Sequence, residues 1–253
     1  MTFSLIQHDY GDPKDVLSYE KKDYHKLGNH MVRVKLISAP INPADINMIE
    51  GTYLVKPKLP TSLGNESVGE VIDVGDDVST VSVGDRVFHP FQSGSNWIGF
   101  WQTSWVISEE DCMKVPDFIS SDQAAMLTIN PITAYLMVLN FVSLKKGDWI
   151  IQNCAHSAVG KWVIFFANLL GIKTINIVRS ELQKEDLISL GATEVYEENE
   201  FFSSPIKQKG LVKLALNGVG GPSAKELAKT LADNGVMVTY GAMARTLCYY
   251  TGV

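Results

Sequence analysis

The sequence predicts an α/β protein in two parts: a small, irregular β-barrel followed by a doubly wound parallel sheet. Two observations carry that expectation. The first half reads as short strands broken by Gly, Pro and Asp, whereas the second alternates strands with helices. Between Lys146 and Arg179 a strand, a tight turn, a helix and a second strand follow one another, the order a dinucleotide-binding unit needs.

At 253 residues the chain has room for two domains and a sizeable core. Hydrophobic residues at 45% and charged residues at 20% fit an ordinary globular protein. A net charge of −6 argues against a nucleic-acid backbone as partner. No apolar run approaches the roughly 18 residues of a membrane span, so no membrane role is expected. Cys112, Cys154 and Cys248 show no CxxC spacing, which fits a reducing compartment better than a disulfide framework. Residues 1–7 show neither a signal pattern nor an amphipathic leader. The expectation is a cytoplasmic protein, or one whose transit segment is not in this sequence.

Strands are expected at 32–37, 68–74 and 102–107, and at 81–87 a Gly84-Asp85 turn sits between two β-branched runs. Ser120 or Ser121 caps a helix that runs through Met126. Asn130-Pro131 interrupts it and 132–140 resumes it. Strands at 149–152, 174–178, 212–216 and 236–240 then alternate with helices at 158–170, 181–190 and 223–231. Gly171 and Gly191 each follow a helix, where a left-handed residue commonly ends it. The domain change is expected near residue 122, giving domains 1–122 and 123–253.

The turn after the strand at 149–152 reads Asn153-Cys154-Ala155-His156-Ser157-Ala158-Val159-Gly160. Against the GxGxxG fingerprint, Ala155 and Ser157 hold the first two glycine positions and only Gly160 remains. Ser157 is small enough for close approach to a pyrophosphate, and its hydroxyl can donate to it. Gly160 lets helix and strand pack closely. The free N–H groups at Ala158, Val159 and Gly160 present a helix N-terminus to the anion. An ordinary ligand-free turn is the alternative, and the strand–turn–helix–strand context weighs against it.

Arg179 ends the second strand, nineteen residues past Gly160. An acidic residue there would suit the ribose 2′-hydroxyl of NAD, whereas Arg179 with Ser180 suits the 2′-phosphate of NADPH. A solvated charge at a helix start is the competing reading. Two further loops, 216–221 and Tyr240-Gly241-Ala242-Met243, follow strands on the side where such ligands sit.

Ala39-Pro40-Ile41-Asn42-Pro43-Ala44-Asp45-Ile46-Asn47, Gly51-Thr52-Tyr53, Gly64-Asn65-Glu66, Ile129-Asn130-Pro131-Ile132-Thr133-Ala134-Tyr135, Leu214-Ala215-Leu216-Asn217 and Thr239-Tyr240-Gly241-Ala242-Met243 together carry a resemblance. The chain resembles the medium-chain dehydrogenase/reductase superfamily and, within it, the mitochondrial trans-2-enoyl-thioester reductases. That resemblance implies a GroES-like barrel joined to a Rossmann sheet. It implies NADPH-dependent reduction of an enoyl thioester of CoA or acyl carrier protein in fatty-acid synthesis, a homodimer and a mitochondrial location. The alternatives are a zinc-free quinone reductase and an inactive NADPH-binding protein.

The zinc-dependent members carry a Cys near Asn42 and a His where Asn65 stands. Asn is a poor zinc ligand, so no metal is expected. Without a metal, hydrogen bonds must polarise the carbonyl, which suits reduction of a conjugated double bond. By resemblance Tyr53 is the proton donor or orients the enolate, Asn47 and Trp101 line the acyl pocket, and Asn130 contacts the nicotinamide side. Residue by residue, Tyr53 also reads as a loop aromatic, Trp101 as a core tryptophan and Asn130 as the polar half of a helix kink. The loop 92–98 is longer than its family counterpart. The match is expected to stop after Ala244, so that the chain is a shortened form lacking the last sheet strand, with doubtful dimerisation and weakened activity.

Overall fold

A computed structural model describes residues 1–24, 26–90, 97–203 and 211–244. His25, Cys248, most of the loop 92–98 and the tail 245–253 lie outside the described residues. The chain divides into two compact units, Met1–Ile129 and Asn130–Val253.

The first unit holds two antiparallel sheets. Strands β1 (Thr2–Gln7) and β2 (Leu17–Lys22) pair over their full length, with the short α1 (Pro13–Val16) between them. Strand β3 (Met31–Ser38) and helix α2 (Pro43–Ile49) follow, then β4 (Thr61–Ser62), which closes the order β2-β1-β4. Strands β5 (Val68–Val74), β6 (Arg86–Phe88), β7 (Ser104–Ser108) and β8 (Met113–Lys114) join β3 in a second sheet, ordered β7-β3-β5-β6-β8. Only part of 81–87 is a strand. Asp85 Oδ2 accepts from Ser82 N at 2.7 Å, and this turn consumes the first β-branched run.

Val32, Val34, Val71, Val87, Phe100 and Trp105 form the core of that sheet, with Phe100 and Trp105 edge to face at 5.2 Å. Burying such side chains stabilises by about 1.5–3 kcal/mol each. Helix α3 (Ser121–Ala124) is capped by Ser120 in a capping box with Gln123. Its Ala124, with Ala125 just beyond, packs on Val68 and Val115. That packing keeps 121–129 in the first unit, so the boundary falls seven residues later than the change of period at 122 suggests.

One buried carboxylate locks this unit. Glu109 accepts from Ser79 N (2.9 Å), His30 Nδ1 (2.9 Å), Thr80 N (3.1 Å) and Thr80 Oγ1 (3.1 Å). The Ser79 amide first, then His30, pull its carboxyl down to about 2. A depressed carboxyl contributes stability above its unfolded pKa and loses it as pH falls through the folded one. Glu109→Gln should therefore unfold at lower urea than the parent at neutral pH, and the gap should close between about pH 4.5 and 2. A gap constant across that range would count against the lock. Glu109 also raises His30, so that partner's contribution is present at low pH and fades as pH rises through its elevated value.

In the second unit, α4 (Asn130–Asn140) is one helix. Pro131 stands at its second position, where a missing N–H costs nothing, so Asn130-Pro131 starts the helix rather than interrupting one. Then follow β9 (Trp149–Gln152), α5 (Ala158–Leu169), β10 (Lys173–Val178), α6 (Lys184–Ser189), β11 (Glu194–Glu197), α7 (Glu198–Ser203), β12 (Val212–Asn217), α8 (Gly221–Ala228) and β13 (Leu231–Thr239). The five strands are parallel and ordered β11-β10-β9-β12-β13. Strands β10 and β12 are buried along nearly their whole length, as strands covered on both faces must be. Among the described residues no helix is long and apolar enough to cross a membrane.

A polar ladder crosses this apolar sheet. Gln152 Nε2 donates to Asn176 Oδ1 (2.8 Å) and to the Gly160 carbonyl (2.9 Å). Asn176 Nδ2 donates in turn to Thr174 Oγ1 (2.9 Å) and the Glu194 carbonyl (3.0 Å). Buried amides without such partners would be costly.

Candidate dinucleotide site and active-site loop

Strand β9 ends where its backbone turns sharply: Cys154 has φ 55°, a left-handed value rare for a side-chain-bearing residue. Ser157 caps α5, its Oγ accepting from Gly160 N at 3.1 Å. That bond uses an acceptor site and leaves the hydroxyl proton free to donate. A Cβ on Gly160 would run into the backbone carbonyl of Ala155. The glycine therefore serves the close helix–strand contact expected of the third fingerprint position.

The first turn of α5 opens into a cavity of about 400 Å³. Its wall includes Ser157, His156, Arg179 and Glu198 on one side, and Val219, Ser223 and Met243 on the other. Arg179 is exposed at the end of β10 and makes no ion pair among the described residues. Ser180, expected beside it, caps the next turn, with Oγ accepting from Leu182 N at 3.3 Å. His156 Nε2 and Lys161 Nζ both reach Asp186 Oδ2, at 2.8 and 2.6 Å. Lys161 first, then His156, hold the Asp186 carboxyl below its usual range.

Two asparagines build the floor. Asn153 Nδ2 donates to Asn217 Oδ1 (2.9 Å) and Ser223 Oγ (3.1 Å), and Asn153 Oδ1 accepts from Gly218 N (2.7 Å). Asn217 Oδ1 also accepts from Gly220 N (2.9 Å), and Asn217 Nδ2 donates to Thr239 Oγ1 (3.1 Å). The carboxyl ends of β9, β12 and β13 are thereby tied together. The loop 240–243 folds back on this floor, with Met243 N donating to the Gly218 carbonyl at 3.2 Å. Tyr240 lies against Gly218 with its hydroxyl buried close to Ser157. Burial first, then nearby Cys154, raises its phenol above the ordinary value.

Of the expected cofactor residues, Ser157, Arg179 and Met243 line the cavity. Ala158, Val159 and Gly160 form the first turn of α5 behind it, while Tyr240, Gly241 and Ala242 support it from the floor. Asn130 is buried at the start of α4 and is not part of the cavity wall. The sequence reading passed over Asn153, His156, Gln183, Glu198 and Ser223. The signal for Asn153 was present, since it and Asn217 each stand at a strand end just before a turn.

In the first unit, the Asn47 carbonyl ends α2 by accepting from Thr52 N (2.9 Å) and Tyr53 N (3.1 Å). Tyr53 is 39% exposed at the surface of this loop. Trp101 is half-buried with its indole packed on Gly64, where a Cβ would run into the ring, and Nε1 donates to the Pro40 carbonyl at 3.3 Å. The positions that hold metal ligands in zinc-dependent relatives are turned to other use. Asn65 donates its amide to Asp45, and Asn42 Nδ2 donates to Glu66 Oε1 at 2.9 Å. Glu66 also accepts from Thr128 Oγ1 (3.0 Å) and Ile129 N (3.1 Å). Burial raises both carboxyls, and each asparagine amide donates to one of them. Among the described residues no cluster of three or more His, Cys, Asp or Glu could hold a metal.

The models of the alcohol dehydrogenase GroES-like domain and of the zinc-binding dehydrogenase match residues 28–117 and 158–251. The chain belongs to the medium-chain dehydrogenase/reductase superfamily. Its relatives include the mitochondrial enoyl-[acyl-carrier-protein] reductases of Caenorhabditis elegans and Rattus norvegicus, both 44% identical over 96% of this chain. The chain spans 71% of the first and 66% of the second, about two thirds of their length. A complex of Etr1p with NADP and crotonyl-CoA matches with a TM-score of 0.87 at 34% identity, over 98% of this chain and 77% of that one. Etr1p also occurs in a mitochondrial 2-enoyl thioester reductase heterodimer from Candida tropicalis. The second family match runs to residue 251, beyond Ala244, where the resemblance was expected to stop.

Proposed function

We propose that the chain reduces trans-2-enoyl thioesters of CoA or acyl carrier protein with NADPH, in fatty-acid synthesis. The observation that carries this reading is the cavity in which Arg179, without an ion pair among the described residues, and the Ser157-capped start of α5 face the same space. That pair fits a dinucleotide bearing an extra phosphate. The enoyl substrate is supported by the naming of the relatives and by the resemblance around Tyr53.

When bound, NADPH supplies a hydride to the β-carbon. The chain's own residues do the rest. Ser157 Oγ and the amides of Ala158 and Val159 would hold the pyrophosphate, and Arg179 would hold the 2′-phosphate. Met243 and the floor at 217–220 shape the nicotinamide end, and the resemblance alone adds Asn130 there. Trp101 and Asn47 border the acyl pocket and exclude water. Tyr53 gives its hydroxyl proton to the α-carbon, or donates it to the enolate oxygen. The relatives' mitochondrial names and the heterodimer support a mitochondrial place of work and a paired chain.

The test is NADPH oxidation by the purified chain with crotonyl-CoA, a long-chain enoyl-CoA and a quinone. Turnover of the thioesters well above the quinone is expected. Quinone turnover without thioester turnover would instead favour a quinone reductase, and NADPH binding without either would favour a binding protein.

A further inference from the structure

We propose that Glu198 reads the amino edge of the cofactor's adenine and makes the site selective for adenine over hypoxanthine dinucleotides. The inference rests on the NADPH reading and adds to it a residue that chooses the base.

The cavity has a direction. The start of α5 marks the pyrophosphate and Arg179, at the end of β10, marks the phosphorylated ribose. The base on that ribose then lies farther along the sheet, toward β11, away from Val219 and Met243 on the β12 and β13 side. Glu198 stands there. It directly follows Glu197, which is the parallel partner of Val178. Glu198 and Arg179 thus occupy equivalent steps on neighbouring strands, and both face the cavity.

They do not neutralise each other, for no ion pair joins them among the described residues. The neighbouring cation, Lys184, is taken by Glu200 at 2.9 Å and Glu181 at 3.5 Å. With no cation partner among the described residues, Glu198 presents a carboxylate, which only accepts hydrogen bonds, to a ligand rich in anionic oxygens. A bare negative charge beside a phosphate site weakens binding unless a donor meets it. On the base, that donor is the exocyclic amine. Hypoxanthine carries a carbonyl at the same position and would face the carboxylate with a second acceptor.

The experiment compares NADPH with its deamino analogue, in which hypoxanthine replaces adenine, by fluorescence titration of the parent chain, Glu198→Gln and Glu198→Ala. The two ligands carry the same phosphates, so long-range repulsion cancels in their affinity ratio. A hydrogen bond to a charged acceptor corresponds to a preference of roughly tenfold or more for NADPH in the parent. Glutamine can accept from an amine and donate to a carbonyl, so the ratio should fall to about one in Glu198→Gln, and in Glu198→Ala too. A parent ratio near one with tight NADPH binding would overturn the adenine assignment alone. A parent preference that survives in both variants would also overturn it, and would place Glu198 on the ribose hydroxyl or merely at the start of α7. Failure of the parent to bind either ligand would overturn the NADPH reading with it.

Discussion

Replacing Tyr53 with Phe should lower kcat/KM for crotonyl-CoA by about 100- to 1,000-fold, the usual worth of a positioned proton donor. NADPH affinity should not change. The loop that carries Tyr53 is held at several points, so the loss would not come from a collapsed backbone. Asn47 fixes the Tyr53 amide at 3.1 Å. Gly51, at φ 72°, lets the chain turn against the ring of Tyr10, and the Tyr10 hydroxyl donates to the Pro57 carbonyl at 2.9 Å. Phenylalanine keeps the ring and its contacts and removes one hydroxyl. Quinone reduction, which needs no proton at an α-carbon, is the internal control. An equal fall with both substrates would assign Tyr53 to structure or to binding.

Replacing Arg179 with Ala should weaken NADPH binding by roughly 10- to 100-fold, the range for a charge-assisted hydrogen-bonded pair. NADH binding should stay within a few-fold of the parent. Arg179 is exposed and unpaired among the described residues, so its removal strands no partner carboxylate and should leave the thermal midpoint nearly unchanged. Competitive titrations with both cofactors measure the ratio. A parallel loss for NADH and NADPH would move the 2′-phosphate contact to another residue.

The second unit was the more legible in the sequence, because a parallel sheet needs continuous apolar runs and helices of fixed spacing. Strand β9 matches its expected limits, and the ends of α5 and β10 shift by only one residue. Strand β11 was missed because Glu194–Glu197 carries two acids and every one of its residues is only partly buried, as befits the sheet edge. Strand β1 alternates in burial only over its first five residues and ends with both Ile6 and Gln7 buried, and it is tied in part by a distant partner, Gln102, which accepts from Ser4 Oγ at 3.0 Å. Ser157, Gly160 and Arg179 were legible because each is placed by a local signal: a helix cap, a close helix–strand contact and a strand end. Glu198 and Ser223 reach the cavity through strand order, which no short motif states.

The Asn153–Asn217 clamp has a consequence for how glycine-rich turns are read. The turn at 218–220 has more glycine than the one at 153–157, yet the amides of Gly218 and Gly220 are spent on asparagine side chains at 2.7 and 2.9 Å. Electrically, the turn at 218–220 is plugged. Glycine content by itself therefore does not mark an anion seat. The amides left without an acceptor among the described residues are those of Ala158 and Val159, which open α5 just after the turn with fewer glycines.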